Sequence, residues 1–80
     1  MTHAEIMEKL QDVFREVFDD ASLSVSDETT AADIEEWDSL THLELISTVE
    51  DTFNVHFSIG EINNFENVGA MCECILKHLQ

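Results

Sequence analysis

Apolar positions along the chain fall into helical rhythms broken by one long polar interval. Ile6, Leu10, Val13, Phe14 and Val17 recur at steps of four, three, one and three, the spacing that places side chains on one helical face. This predicts a first helix over residues 3–18, with Lys9 and Arg15 on its other faces. From Asp19 to Trp37 the rhythm gives way to Asp, Ser, Thr and Glu, with Leu23, Val25 and Ile34 interspersed. Connections of that length are uncommon in compact domains, and the scattered aliphatics predict a loop pinned across the core. A second helix is expected from Asp38-Ser39, either of which can cap it through a side-chain oxygen. Its inward stripe reads Leu40, Leu43, Ile46, Val49 and Phe53, with Leu45 on the flank and Asn54 as the stop.

Ser58-Ile59-Gly60-Glu61 has the Ser-x-x-Glu form of a capping box, which opens a short third helix carrying Ile62 and Phe65 inward. Asn67 caps a fourth, whose face reads Val68, Met71, Cys72, Ile75 and Leu79. Lys77 and His78 fall in its last turn, where cations suit the helix dipole. The chain has no proline and only two glycines, Gly60 and Gly69. No apolar/polar alternation lies between hairpin turn signals, so strands are not expected. The expected architecture is all-α: a small four-helix bundle of three longer helices and one short one. A long loop joins the first two helices, and residues 1–80 form a single domain.

Composition narrows the function. Three basic against 18 acidic residues give a net charge of −15, while 44% of the chain is apolar. The apolar share is that of a folded protein rather than a disordered one. The charge excludes nucleic-acid binding by phosphate neutralisation and docking on an anionic membrane. No apolar run is long enough to span a bilayer, and Met1–Glu5 has no basic segment leading into an apolar one. A cytoplasmic, monomeric protein is expected. Cys72 and Cys74 stand two apart in a helical pattern, projecting about 200° from each other, so reduced thiols are expected rather than a disulfide. Two such ligands make no zinc site, and His3, His56 and His78 are scattered. The acidic loop 19–36 contains no glycine, which an EF-hand requires at its sixth position. The expectation is therefore no metal site.

The charge is also uneven. Residues 16–76 contain no Lys or Arg and hold 15 of the 18 acidic side chains. Glu44, Glu50 and Asp51 lie on the second helix outside its apolar stripe, with Glu35, Glu36 and Asp38 at its start. Repulsion at this density disfavours the compact state, and a basic partner would offset it. Ser39 and His42 lie three apart on one helix, yet a hydrolase also needs an orienting third group and oxyanion donors. No Gly-x-Ser-x-Gly elbow is present, so His42 is read as a solvent-facing helix residue and the protein as a non-enzyme.

The Asp38-Ser39-Leu40 triplet opens an acidic amphipathic helix after a long loop. With the helix layout, the Val49-Glu50-Asp51-Thr52-Phe53 stretch and the Asn67-Val68 start of the last helix, it resembles the acyl carrier proteins over essentially the whole chain. The resemblance implies that Ser39 is the attachment point for 4′-phosphopantetheine, donated from coenzyme A by a separate Mg²⁺-dependent transferase. The residue types suit that role: a serine hydroxyl at a helix N-terminus meets free N–H groups that favour a phosphate. Asp38 would cap the helix and present a carboxylate to the transferase metal, and Leu40 would anchor the serine to the core.

The resemblance further implies acyl groups carried as thioesters, in fatty acid, polyketide or a related dedicated biosynthetic pathway. The acyl pocket is expected among Leu43, Ile46, Val49, Ile62 and Phe65. Partners would be the phosphopantetheinyl transferase and acyl-transferring or acyl-activating enzymes with basic docking patches, meeting Glu44, Glu50, Asp51, Glu36 and Trp37. Trp37 is open between partner contact and packing over the loop–helix junction. Glu36-Trp37 stands where many members carry small residues, and Ser47 where an apolar residue is common. An aminoacyl or peptidyl carrier is the nearest alternative. An unmodified acidic adaptor is the alternative from a different class.

Overall fold

A computed structural model describes residues 1–80 as four helices with no strand: α1 (His3–Val17), α2 (Ser39–Phe53), α3 (Ile59–Asn63) and α4 (Val68–Leu79). A 3₁₀ turn, Ala31–Asp33, interrupts the long α1–α2 connection. Each helix starts where a side chain can take up its free amides. Thr2 and Glu5 form a reciprocal capping box on α1, and Ser58 and Glu61 form one on α3. Asn67 accepts the Ala70 N–H at 2.7 Å at the start of α4. Helix α2 stops at Asn54, whose φ of 54° and ψ of 50° are left-handed, a conformation asparagine tolerates better than most residues.

Fifteen apolar residues form one core. Helix α1 supplies Ile6, Leu10, Val13 and Phe14, and α4 supplies Val68, Met71, Cys72 and Ile75. Helix α1 packs against both α2 and α4. Fully burying a side chain of this size contributes about 1.5–3 kcal/mol, so these stripes account for the pairing of the longer helices. Leu79, expected on the α4 face, is instead 38% exposed, because the core ends before the last turn.

The stripe expected for α2 is corrected. Leu45, Ile46, Val49 and Phe53 face the core, whereas Leu40 is 79% and Leu43 61% exposed. The helix is rotated so that the expected flank residue, Leu45, sits at its centre. Phe65 also lies beyond α3, in the α3–α4 connection, and is partly buried there.

The long connection is pinned as its aliphatics suggested. Ile34 is buried and Leu23 and Val25 pack against the core. Its backbone is held from α1: Arg15 Nε donates to the Leu23 carbonyl at 2.7 Å, and Gln11 Oε1 accepts the Val25 N–H at 3.3 Å. At its far end the Thr29 and Asp27 carbonyls accept the Val68 and Gly69 N–H groups at 2.9 and 3.0 Å. That approach requires glycine at 69, since a Cβ there would sit 2.9 Å from the Asp27 carbonyl oxygen.

Candidate functional site

The junction of the long loop with α2 is built by one carboxylate. Asp38 Oδ1 accepts the N–H groups of Leu40 and Thr41, each at 3.0 Å. Thr41 Oγ1 accepts the Asp38 N–H at 2.8 Å and donates to the Glu36 carbonyl at 2.7 Å. These bonds hold the Asp38 carboxyl below its usual range, chiefly through the Thr41 amide and further through the Leu40 amide, with desolvation opposing. The helix is thus capped by Asp38, and the Ser39 hydroxyl is not consumed in capping. Ser39 is the first residue of α2 and is exposed.

Beneath it the junction is closely packed and hydrogen-bonded. Trp37 is 7% exposed and meets Phe14 edge-on, ring centroids 5.2 Å apart. Its Nε1–H donates to His42 Nδ1 at 3.0 Å, and His42 Nε2 lies 3.0 Å from the Ile62 carbonyl. Because the indole only donates and the carbonyl only accepts, these two contacts fit the tautomer that carries its proton on Nε2. A groove of about 290 Å³ runs beside Ser39, lined by Ala31, Trp37, Asp38, His42 and Phe65.

The sequence matches the phosphopantetheine attachment site family over residues 8–75. The fold is similar to the solution NMR structure of holo acyl carrier protein from Geobacter metallireducens, with a TM-score of 0.87 and 39% identity. That match covers 92% of this chain and 85% of the other. No curated protein matches the chain. This chain belongs to the phosphopantetheine-attachment family of acyl carrier proteins. It is a carrier rather than an enzyme, and its prosthetic group is phosphopantetheine. The family implies encounters with a phosphopantetheinyl transferase and with acyl-handling enzymes. The residues at the junction fit the group: an uncommitted hydroxyl stands at a helix N-terminus, where a phosphate is favoured, with open volume alongside.

Several site expectations change in this acyl carrier protein. Leu40 does not anchor Ser39 to the core. It points outward and, with Leu43, leaves apolar side chains exposed on α2. Trp37 is buried and packs at the loop–helix junction, and His42 is half-buried and bonded at both nitrogens rather than solvent-facing. Glu44, Asp51 and Glu36 are exposed. Glu50 is not free in the same way: its Oε2 accepts the Phe57 N–H at 2.8 Å, bracing the α2–α3 connection.

Of the expected acyl-pocket residues, Ile46 and Val49 are in the core, Ile62 and Phe65 are partly buried, and Leu43 is exposed. Only Phe65 of these lines the groove beside Ser39. The His42–Ile62 bond was missed by sequence reasoning because it joins residues 20 apart.

Proposed function

We propose that this protein carries acyl intermediates on phosphopantetheine attached to Ser39, in fatty acid, polyketide or a related dedicated biosynthetic pathway. The observation that carries this reading is the exposed Ser39 hydroxyl, set at the first position of α2 while Asp38 does the capping. When attached, the arm supplies a terminal thiol that holds acyl groups as thioesters. Ser39 Oγ is the atom that receives the phosphate. The N-terminal end of α2 stabilises that negative charge through its dipole. Asp38 holds the backbone of the first turn and offers a carboxylate toward the Mg²⁺ of the transferase. Trp37 and His42 brace the junction that presents the serine.

Docking is read on the exposed face of α2, where Glu44 and Asp51 lie with Leu40 and Leu43. Acidic groups at a rim steer association with basic partners and keep it reversible, while the leucines supply a small apolar contact. Acyl chains are proposed to lodge toward Ile46, Val49, Ile62 and Phe65, with residues 1–80 acting as one carrier domain in the cytoplasm.

Intact-mass analysis of the protein from its own cells tests the reading. The expected result is a mass increment of one phosphopantetheine, with further acyl increments that hydroxylamine removes. An unmodified chain from actively growing cells would favour an acidic adaptor. Increments corresponding to amino acids would favour an aminoacyl carrier.

A further inference from the structure

Away from Ser39, the fold brings together three metal-ligating side chains that the sequence scatters. Cys74 and His78 lie one turn apart on α4, and Glu61 reaches them from α3. Cys74 Sγ is 3.2 Å and His78 Nε2 3.0 Å from Glu61 Oε2, and one ligand atom from each residue falls within a 4.8 Å cluster. From this geometry we propose that Glu61, Cys74 and His78 form a Zn²⁺-type site that clamps α3 to α4, its fourth position open to water.

The donor set is that of borderline and soft divalent metals, not of the Mg²⁺ or Ca²⁺ that an acidic surface attracts. Metal–ligand bonds of about 2.0–2.3 Å in a tetrahedron place neighbouring donors roughly 3.3–3.6 Å apart. The Glu61–Cys74 and Glu61–His78 pairs therefore need to open by only a few tenths of an ångström.

Supporting contacts already orient two of the ligands. The Ser58 N–H donates to Glu61 Oε1 at 2.8 Å, which turns Oε2 toward the other two residues. The Phe57 ring meets the His78 imidazole edge-on at 5.4 Å. Such outer contacts fix ligand orientation in metal sites. A groove of about 630 Å³, lined by Glu61, Cys74, Phe65, Glu73 and Lys77 among others, leaves room on the open side.

Without metal the cluster is held by protons. The Cys74 thiol donates to Glu61, and its pKa is pushed up to about 11, first by burial and then by that carboxylate. Binding replaces the thiol proton by the metal, and that proton passes to solvent. His78 ligates through Nε2 with a proton kept on Nδ1, as a metal-bound imidazole requires.

The test is a Co²⁺ titration of the full chain in excess Mg²⁺, read by absorption. The expected result is one Co²⁺ per chain, with a near-ultraviolet thiolate charge-transfer band and the intense visible bands of four-coordination, all displaced by Zn²⁺. Cys74→Ala removes the charge-transfer band and Cys72→Ala keeps it, with circular dichroism confirming that both fold. His78→Ala weakens affinity by more than the about 10–100-fold that losing an outer-shell partner costs. A pale six-coordinate spectrum, or a thiolate band that survives Cys74→Ala, would overturn the site. Should Cys74→Ala not fold, Cys74→Ser on the same readout decides.

Discussion

Leu43 and Leu45 stand two positions apart on α2 and meet opposite environments, one 61% exposed and the other fully buried. Leu45→Ala should cost about 2–5 kcal/mol, the range for deleting a buried leucine. Leu43→Ala should stay within about 0.5 kcal/mol of wild type, as surface substitutions do. Denaturant unfolding of the two variants checks this, and equal losses would contradict the observed rotation of α2. The periodicity of α2 could not decide between these faces, because Leu40 and Leu43 continue one apolar stripe while Leu45, Ile46, Val49 and Phe53 form another. Which stripe is buried is set by where α1 packs, and that is a tertiary choice. Capping residues were legible for the opposite reason. Asp38, Ser58 and Asn67 act within three residues of their own position, so the chemistry is local. Trp37 and His42 were not legible, since their partners Phe14 and Ile62 lie far off in the chain.

At the scale of elements, the N-terminus of α1 is tied to the long loop and to α4 by one imidazole. His3 Nε2 lies 2.8 Å from Asp27 Oδ1, and His3 Nδ1 lies 3.2 Å from Glu73 Oε1, with Cys72 Sγ also beside it. Two carboxylates at the two ring nitrogens favour the doubly protonated ring. The His3 pKa is raised from 6.5, first by the Asp27 hydrogen bond and then by the nearby negative charges, with desolvation opposing. A group whose folded pKa is raised stabilises the fold below its unfolded value and loses that contribution as pH rises through the folded one. The melting temperature should therefore fall as pH rises from 6.5 through the higher folded value, and more steeply in wild type than in His3→Gln. Parallel pH profiles for the two proteins would contradict the tie.

The exposed face of α2 makes a second claim at this scale. Glu44→Lys should slow modification by a phosphopantetheinyl transferase at low salt, with the difference shrinking as salt rises, because rim charges act mainly on association rate. Helical circular dichroism should be unchanged. A variant modified as fast as wild type at low salt would remove Glu44 from the docking surface. Glu50→Lys is a poorer probe, because it also takes away the acceptor of the Phe57 N–H.

Over the whole molecule the net charge of −15 dominates. The contacts within ion-pair distance all involve histidines, so most carboxylates have no cation beside them. Screening with salt acts beyond a Debye length of about 8 Å at physiological ionic strength. Adding NaCl from very low ionic strength, or Mg²⁺, should raise the melting temperature; insensitivity to both would show that the fold already relieves the repulsion. The four-helix layout and the Asp38-Ser39-Leu40 triplet were legible in the sequence because helices, caps and charge runs are written in neighbouring residues. The Glu61–Cys74–His78 cluster was not, because it exists only once α3 folds against the end of α4.

The account rests most directly on Ser39 as the attachment point. Wild type and Ser39→Ala, incubated with coenzyme A, Mg²⁺ and a broad-specificity phosphopantetheinyl transferase, are compared by intact mass and by sequencing of the modified peptide. Wild type should gain one phosphopantetheine located on Ser39, and Ser39→Ala should gain none while keeping its helical circular dichroism. Modification of the Ser39→Ala variant at another serine, such as the exposed Ser47, would contradict the account.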